Sequence, residues 1–372
     1  MVDLQAQALA LGGRVAAALE RVLTHQQFVF GPEIEELEAA LAARCGATEV
    51  VSCANGTDAL VLALRALDVQ PGDRVVVPAF TFAATAEAVA LVGGEPVFAD
   101  IRPDTFNLDP AAVAEHLGAL AGPPPVGVLP VDLFGQAADD PALRTLAGSQ
   151  GWWVVTDAAQ SFGGTTPAGA VGSIGDLATT SFFPSKPLGA YGDGGAVMCP
   201  SGERADLLRS LRNHGAGADR YQNVRVGTNS RLDAMQAAVL LQKLEIFDAE
   251  LDARERIATG YDARLSGSLA TTPVVTDGVR STWAQYTVRV PNRDAVAAAL
   301  DRAEISTAVH YRSALVDQPA FAGCATLGPL PAARRAATEV LSLPMHPYLT
   351  DHDLDRVAEA LLAAIPSGAE VR

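Results

Sequence analysis

One lysine, Lys186, is held between Pro184 and Pro187, after Ala178-Thr179-Thr180-Ser181-Phe182-Phe183 and before Gly189-Ala190-Tyr191-Gly192-Asp193-Gly194-Gly195. The prolines stiffen the loop, and the glycines let backbone come close to a bound molecule. A lysine that must form a Schiff base needs such a seat. It has to stay still, in a partly dry pocket that lowers its amine pKa. A solvated lysine in a surface turn would fit the same residues.

Other residues could complete a chemistry around it. A cofactor with an aldehyde, a pyridine ring and a phosphate needs a lysine for the aldehyde. It needs a carboxylate at the ring nitrogen, so that the ring withdraws electrons. It needs an aromatic against the ring face and N–H or hydroxyl donors for the phosphate. Asp157, at the end of the apolar run Trp152–Thr156, is the candidate carboxylate. Phe82 is the candidate aromatic, and the Gly56-Thr57 turn the candidate phosphate cradle. Each has a plainer reading. Asp157 could be a turn residue and Phe82 a core residue of its helix. Ser181 could be a strand serine, and Asn55 or Thr57 a simple helix cap.

The elements that would position them alternate along the chain. Strands are predicted at 50–51, 74–77, 96–100, 126–131, 152–156, 177–183 and 196–199, from near-continuous apolar runs. Helices are predicted at 33–44, 59–67, 82–92, 110–120, 140–150 and from Ser201 to about Asn213. This alternation predicts an α/β protein with a mostly parallel sheet covered on both faces. Ligands of such sheets sit at the carboxyl ends of strands, where Asp157 and Phe82 fall. A polar loop, 214–230, precedes a long helix predicted from Leu232 to Leu265. Beyond it a smaller α+β unit is expected, with strands 286–290 and 305–310 and helices at 294–302, 332–341 and 351–364. The proposed division is 1–245, a lead-in of mixed character plus a large domain, and 246–372, a small domain.

Composition excludes several roles. The 372 residues are 49% hydrophobic and 19% charged, which fits a soluble globular protein large enough for two domains. A net charge of −16 argues against nucleic acid or an anionic membrane as a partner. Cys45, Cys53, Cys199 and Cys324 form no CxxC pair, and no HExxH or strand-following GxGxxG occurs. Metal and dinucleotide sites therefore have little support. No signal peptide or membrane-spanning run is read, so a cytoplasmic protein is expected.

The assembled pieces resemble the DegT/DnrJ/EryC1/StrS family of sugar aminotransferases. The resemblance rests on Asn55-Gly56-Thr57-Asp58-Ala59-Leu60, Pro78-Ala79-Phe80-Thr81-Phe82-Ala83-Ala84-Thr85, Asp157-Ala158-Ala159-Gln160-Ser161 and Ser181-Phe182-Phe183-Pro184-Ser185-Lys186. Gly192-Asp193-Gly194-Gly195 and the run Gly227–Ala238 extend it over nearly the whole chain. It implies the aspartate-aminotransferase-like fold type I of enzymes that use pyridoxal 5'-phosphate (PLP). It implies Lys186 as the Schiff-base lysine and Asp157 as partner of the pyridine nitrogen. Gln160 matches the residue near the ring hydroxyl and Phe82 the stacking aromatic. Gly56, Thr57 and Ser181 match phosphate ligands. Asn229 matches a residue reaching the phosphate from a neighbouring subunit, which implies a homodimer with shared active sites.

The resemblance further implies transfer of an amino group, with glutamate the expected donor, to a keto group of a nucleotide-linked sugar. The stretch Pro184–Gly195 is similar to members that aminate C3. The run Arg220–Gly227 with Leu244-Glu245-Ile246-Phe247 is similar to enzymes acting on UDP-linked 2-acetamido-3-keto-hexuronic acids. Arg231 is then a candidate for the sugar carboxylate, or else a structural arginine at a helix start. His310 and Tyr311 belong to a segment that lines the sugar pocket in relatives. There the usual His-Tyr-Pro reads His310-Tyr311-Arg312, and Val316 or Asp317 stands where a second histidine is usual. Two other readings stay open: an aminotransferase for a cyclitol or other small ketone, and a non-catalytic PLP-binding regulatory protein.

Overall fold

A computed structural model describes residues 2–138, 140–219 and 221–365. Its centre is an eight-stranded sheet in the order 49–53, 195–199, 177–181, 153–157, 125–128, 74–78, 95–99, 326–327. Only strand Gly195–Cys199 runs against its neighbours, Glu49–Cys53 and Leu177–Ser181. Strand 49–53 therefore points the same way as the parallel strands. The carboxyl ends of 49–53, 74–78, 125–128, 153–157 and 177–181 all reach one edge.

Period-two alternation gives the sheet two buried faces. Val50, Ala196 and Met198 pack with Ile34, Leu37 and Leu41 of helix Pro32–Cys45 and with Leu240 of helix Ala234–Leu244. Val51, Val197 and Cys199 face the other way, towards Leu60 and Leu64 of helix Gly56–Ala66. Local signals set the helix ends. Pro32 takes the first turn of its helix, and Gly46, at φ 71°, stops it. Thr350 and Asp353 form a reciprocal capping box that starts helix Asp351–Ala364.

Three expectations change. The lead-in is two helices, Leu4–Leu11 and Arg14–His25. The long helix expected over 232–265 is two, Ala234–Leu244 and Phe247–Leu265, broken at Glu245-Ile246. The strand expected over 305–310 is only a single bridge, Ala308 to Ser342. The partner of Tyr286–Arg289 is instead Val340–Leu343, in antiparallel register. Around that pair a second core gathers Tyr261, Val296, Leu354 and Leu361, with the Tyr261 and Tyr286 rings 4.8 Å apart.

The break at 245–246 does not divide the chain into separate bodies. Phe247 and Leu251 pack with Phe162 under the large sheet. Thr326-Leu327 returns as its outermost strand beside Phe98-Ala99, and helix Pro331–Glu339 sets Ala333, Ala336 and Ala337 into the large core. Among the described residues no helix is long and apolar enough to cross a membrane.

Candidate active site

The site is assembled from residues at and just beyond the strand ends along that one edge. Strand Trp153–Asp157 ends in Asp157, 7% exposed. One carboxylate oxygen accepts from Thr85 Oγ1 at 3.3 Å, the other from the Ala159 amide at 3.1 Å. Burial pushes its pKa up, opposed by the charge of Lys186. The Lys186 amine faces it across the edge. Burial pulls the lysine pKa down, with Asp157 acting the other way. Both charges are thus only partly compensated, as in a site awaiting a further group.

The loop carrying Lys186 is folded on itself. Phe182 N donates to Gly194 O at 2.8 Å, Ala190 N to Phe182 O at 2.7 Å and Lys186 N to Phe183 O at 2.9 Å. Gly189 is obligatory where the limbs touch. A Cβ there would lie 2.5 Å from the Pro184 carbonyl oxygen.

After strand 49–53, helix 56–66 starts at Gly56. The Asn55 side chain accepts from the Asp58 amide at 2.8 Å, which leaves the first-turn amides of Gly56 and Thr57 for an external acceptor. Ser181 lies alongside, and a Cβ on Gly56 would fall 2.7 Å from the Ser181 Cβ. Amides, Ser181 hydroxyl and helix dipole converge where only a glycine leaves space. Phe82 lies before helix Ala84–Leu91 rather than in it, and is 55% exposed. A large ring held out at the strand edge is a surface on which a planar group stacks.

Gln160 and Tyr311 close the far side. Gln160 Oε1 accepts from the Phe134 amide at 2.6 Å, and the Tyr311 hydroxyl bonds to Gln160. The Tyr311 ring lies 6.0 Å from Phe80 and 6.1 Å from Phe82. Burial, then the Asp157 charge, push its hydroxyl pKa up, so it stays a proton donor. Tyr311, expected against an acceptor sugar, stands among the cofactor residues. His310 Nδ1 is 3.1 Å from Ser342 Oγ, and burial followed by the nearby Lys186 charge holds its pKa down.

The remaining candidates lie apart from this group. The Arg231 guanidinium sits 6.0 Å over the Phe30 ring. Asn229 is exposed and bridges to Asn213, while the adjacent Ser230 hydroxyl accepts from the Ala54 amide at 3.2 Å. Arg220, which opens the run similar to hexuronate enzymes, lies outside the described residues. Of the unusual residues after Tyr311, Arg312 and Asp317 are exposed, while Val316 packs against the large core. Arg312 pairs with Asp294 at 3.3 Å and Asp317 with Arg334 at 3.0 Å, while Leu315 N fastens the segment to Ala79 O at 2.8 Å. Thr85 is a site residue that sequence reasoning does not single out, although it closes the motif Pro78–Thr85. Its hydroxyl, four residues before Val89 on an apolar helix, is the available signal.

These residues fit PLP. The amide cradle and Ser181 would hold the phosphate, Phe82 the ring face, Asp157 the ring nitrogen and Lys186 the aldehyde. A large parallel sheet with this set at its carboxyl edge defines a PLP enzyme of fold type I. Comparisons with known proteins agree. The model of the DegT/DnrJ/EryC1/StrS aminotransferase family matches residues 10–362. The chain is 46% identical over 360 residues, 97% of its length and 98% of the relative's, to the UDP-2-acetamido-2-deoxy-3-oxo-D-glucuronate aminotransferase of Pseudomonas aeruginosa. It is 40% identical, over 97% and 96% of the two chains, to the UDP-N-acetyl-3-dehydro-alpha-D-glucosamine 3-aminotransferase of Acidithiobacillus ferrooxidans. A crystal structure of a DegT DnrJ EryC1 StrS aminotransferase from Brucella abortus superposes with a TM-score of 0.96 at 42% identity, covering 98% and 99%. The chain belongs to the DegT/DnrJ/EryC1/StrS aminotransferase family, and PLP is its cofactor.

Proposed function

We propose that this aminotransferase moves an amino group from an amino acid, glutamate by preference, to the C3 keto group of a nucleotide-linked sugar. The observation that carries the reading is buried Asp157, coupled to half-buried Lys186, beside the Gly56–Ser181 cradle. The relatives at 46% and 40% identity, both named for 3-keto sugars, support C3. The bound cofactor supplies an electron sink for the carbon that loses its proton.

The chain's own residues do the rest. Lys186, with its pKa lowered, offers a free amine to take a proton from the donor's alpha carbon and return one on the far side of the transfer. Asp157 would pair with the pyridine nitrogen and keep it protonated. Gln160 and Tyr311 hold the ring oxygen side, and the Gly56 and Thr57 amides with Ser181 anchor the phosphate. His310, kept neutral by burial, stands next to Lys186 at the acceptor side. Asn229 acts across a homodimer interface in this reading, and Arg231 is the candidate for a sugar carboxylate. The exposure of Asn229, and that of Tyr221, Val224 and Val226 nearby in the chain, supports a partner there. The four thiols are free, which suits a reducing cytoplasm.

The test is an absorption spectrum of the PLP-loaded protein before and after glutamate, then turnover with UDP-linked 3-keto sugars. Bleaching by glutamate and amination of a 3-keto sugar support the reading. Bleaching without any nucleotide-sugar turnover moves the acceptor to a cyclitol or small ketone. A protein that binds PLP but bleaches with no amino acid is a PLP-binding regulator.

A further inference from the structure

Lys243 lies on helix 234–244 with 1% of its surface exposed. A buried ammonium is costly unless it is held by specific partners. Here Nζ donates to the Gly189 carbonyl at 2.6 Å and lies 4.6 Å from the centroid of the Tyr191 ring. Glu250, on the next helix, attracts its charge from the other side, although burial still brings the Lys243 pKa down to about 8. Glu250 is itself fixed, accepting from Gln7 Nε2 at 3.0 Å and from the Tyr348 hydroxyl.

Gly189 and Tyr191 are the far limb of the loop whose near limb carries Lys186. The limbs are in contact at Gly189 and bonded from Ala190 to Phe182, so a shift of one displaces the other. The same helix face grips the far limb a second time. Gln236, seven residues before Lys243 and so two turns away, accepts from the Tyr191 amide at 2.9 Å. Helix 234–244 thus holds the loop at two points, and the charged one is buried.

We propose that Lys243 is a positioning residue for catalysis: its ammonium clamps the Gly189 carbonyl and the Tyr191 ring, and so fixes the loop conformation that stands Lys186 against Asp157. The role deepens the aminotransferase reading but is measured first without the cofactor.

Lys243→Met is compared with wild type by hydrogen exchange of the cofactor-free protein. Exchange in peptides covering 182–192 is expected to rise about tenfold, with strand 49–53 unchanged, because only local opening is favoured. In the loaded enzyme, kcat for the glutamate half-reaction falls by about tenfold to a hundredfold while KM stays within about twofold, as for a misplaced proton carrier. Lys243→Arg restores part of both. Exchange that is unchanged in the loop, or raised equally everywhere, overturns the proposal. If Lys243→Met does not fold, Tyr191→Leu at the half-exposed ring decides instead. Loop exchange raised above wild type supports the clamp, and wild-type exchange with wild-type kcat overturns it. A protein that ignores glutamate would sink the functional reading yet leave the exchange result standing.

Discussion

Two acid–base pairs serve the same sheet in opposite ways. Near strand 49–53, Glu38 Oε1 accepts from the Ser52 amide at 2.9 Å, the Ser52 hydroxyl at 2.7 Å and Arg212 Nη1 at 2.5 Å. Arg212 Nη1 also reaches the Ser52 carbonyl at 2.6 Å. Its own chain thus holds that pair through several short contacts, although Arg212 Nε has no partner. Asp157 is just as enclosed and Lys186 is half-buried, but the carboxylate has only two long contacts and both pKa values are displaced. A pair held this closely by its own chain fixes structure. A loosely held one keeps free energy available for a ligand.

Breaking each pair should separate the two roles. Lys186→Ala is expected to lower transamination by about 10⁴-fold or more, since the proton carrier is gone, while leaving urea unfolding close to wild type. Arg212→Met leaves Glu38 buried with only Ser52. It should cost about 3–5 kcal/mol in urea unfolding, with far less effect on turnover per folded molecule than Lys186→Ala. Equal effects of the two variants on both readouts would dissolve the contrast.

Asp157→Asn should lower turnover by on the order of a hundredfold, the scale of one lost electrostatic stabiliser. It also sharpens the comparison through pH. Asp157 raises the Lys186 pKa, so removing its charge lowers that pKa further. At a given pH more of the amine is then free. The pH profile for labelling Lys186 by an amine reagent in the cofactor-free protein should move to lower pH. A profile that stays put would mean the two side chains are not coupled. The smallest effect is expected from Phe82→Leu, which removes a stacking face worth about 0.5–1.5 kcal/mol. The PLP dissociation constant, read by fluorescence, should rise about threefold to tenfold.

What the chain reveals in advance depends on how local each cause is. Helix 351–364 is legible to the residue because Thr350 and Asp353 cap it within one turn. Asp157 and Lys186 are legible because a strand end and two prolines mark them. The long helix is not, because Leu244, Phe247 and Leu251 keep an apolar stripe through a break that shows only in the backbone hydrogen bonds, where Ile246 N donates to Lys243 O. Ile305, Thr307 and Val309 suggest a strand at 305–310, yet residues 340–343 supply the pairing, and their apolar run reads as the tail of a helix. Tyr311 joins the cofactor wall through Phe80, Phe82 and Gln160, and Lys243 meets Gly189. Such contacts link distant segments of the chain, so neither spacing nor composition signals them.

The return of Thr326-Leu327 to the large sheet has a bearing on biosynthesis. Strand 95–99 emerges early from the ribosome, but its outer neighbour is made only when most of the chain is complete. Until then the sheet ends in a bare row of backbone amides and carbonyls, a template for pairing with another nascent chain. Any fragment ended at the break between helices 234–244 and 247–265 would keep that open border permanently, which makes the full-length chain, rather than its large half, the unit to express.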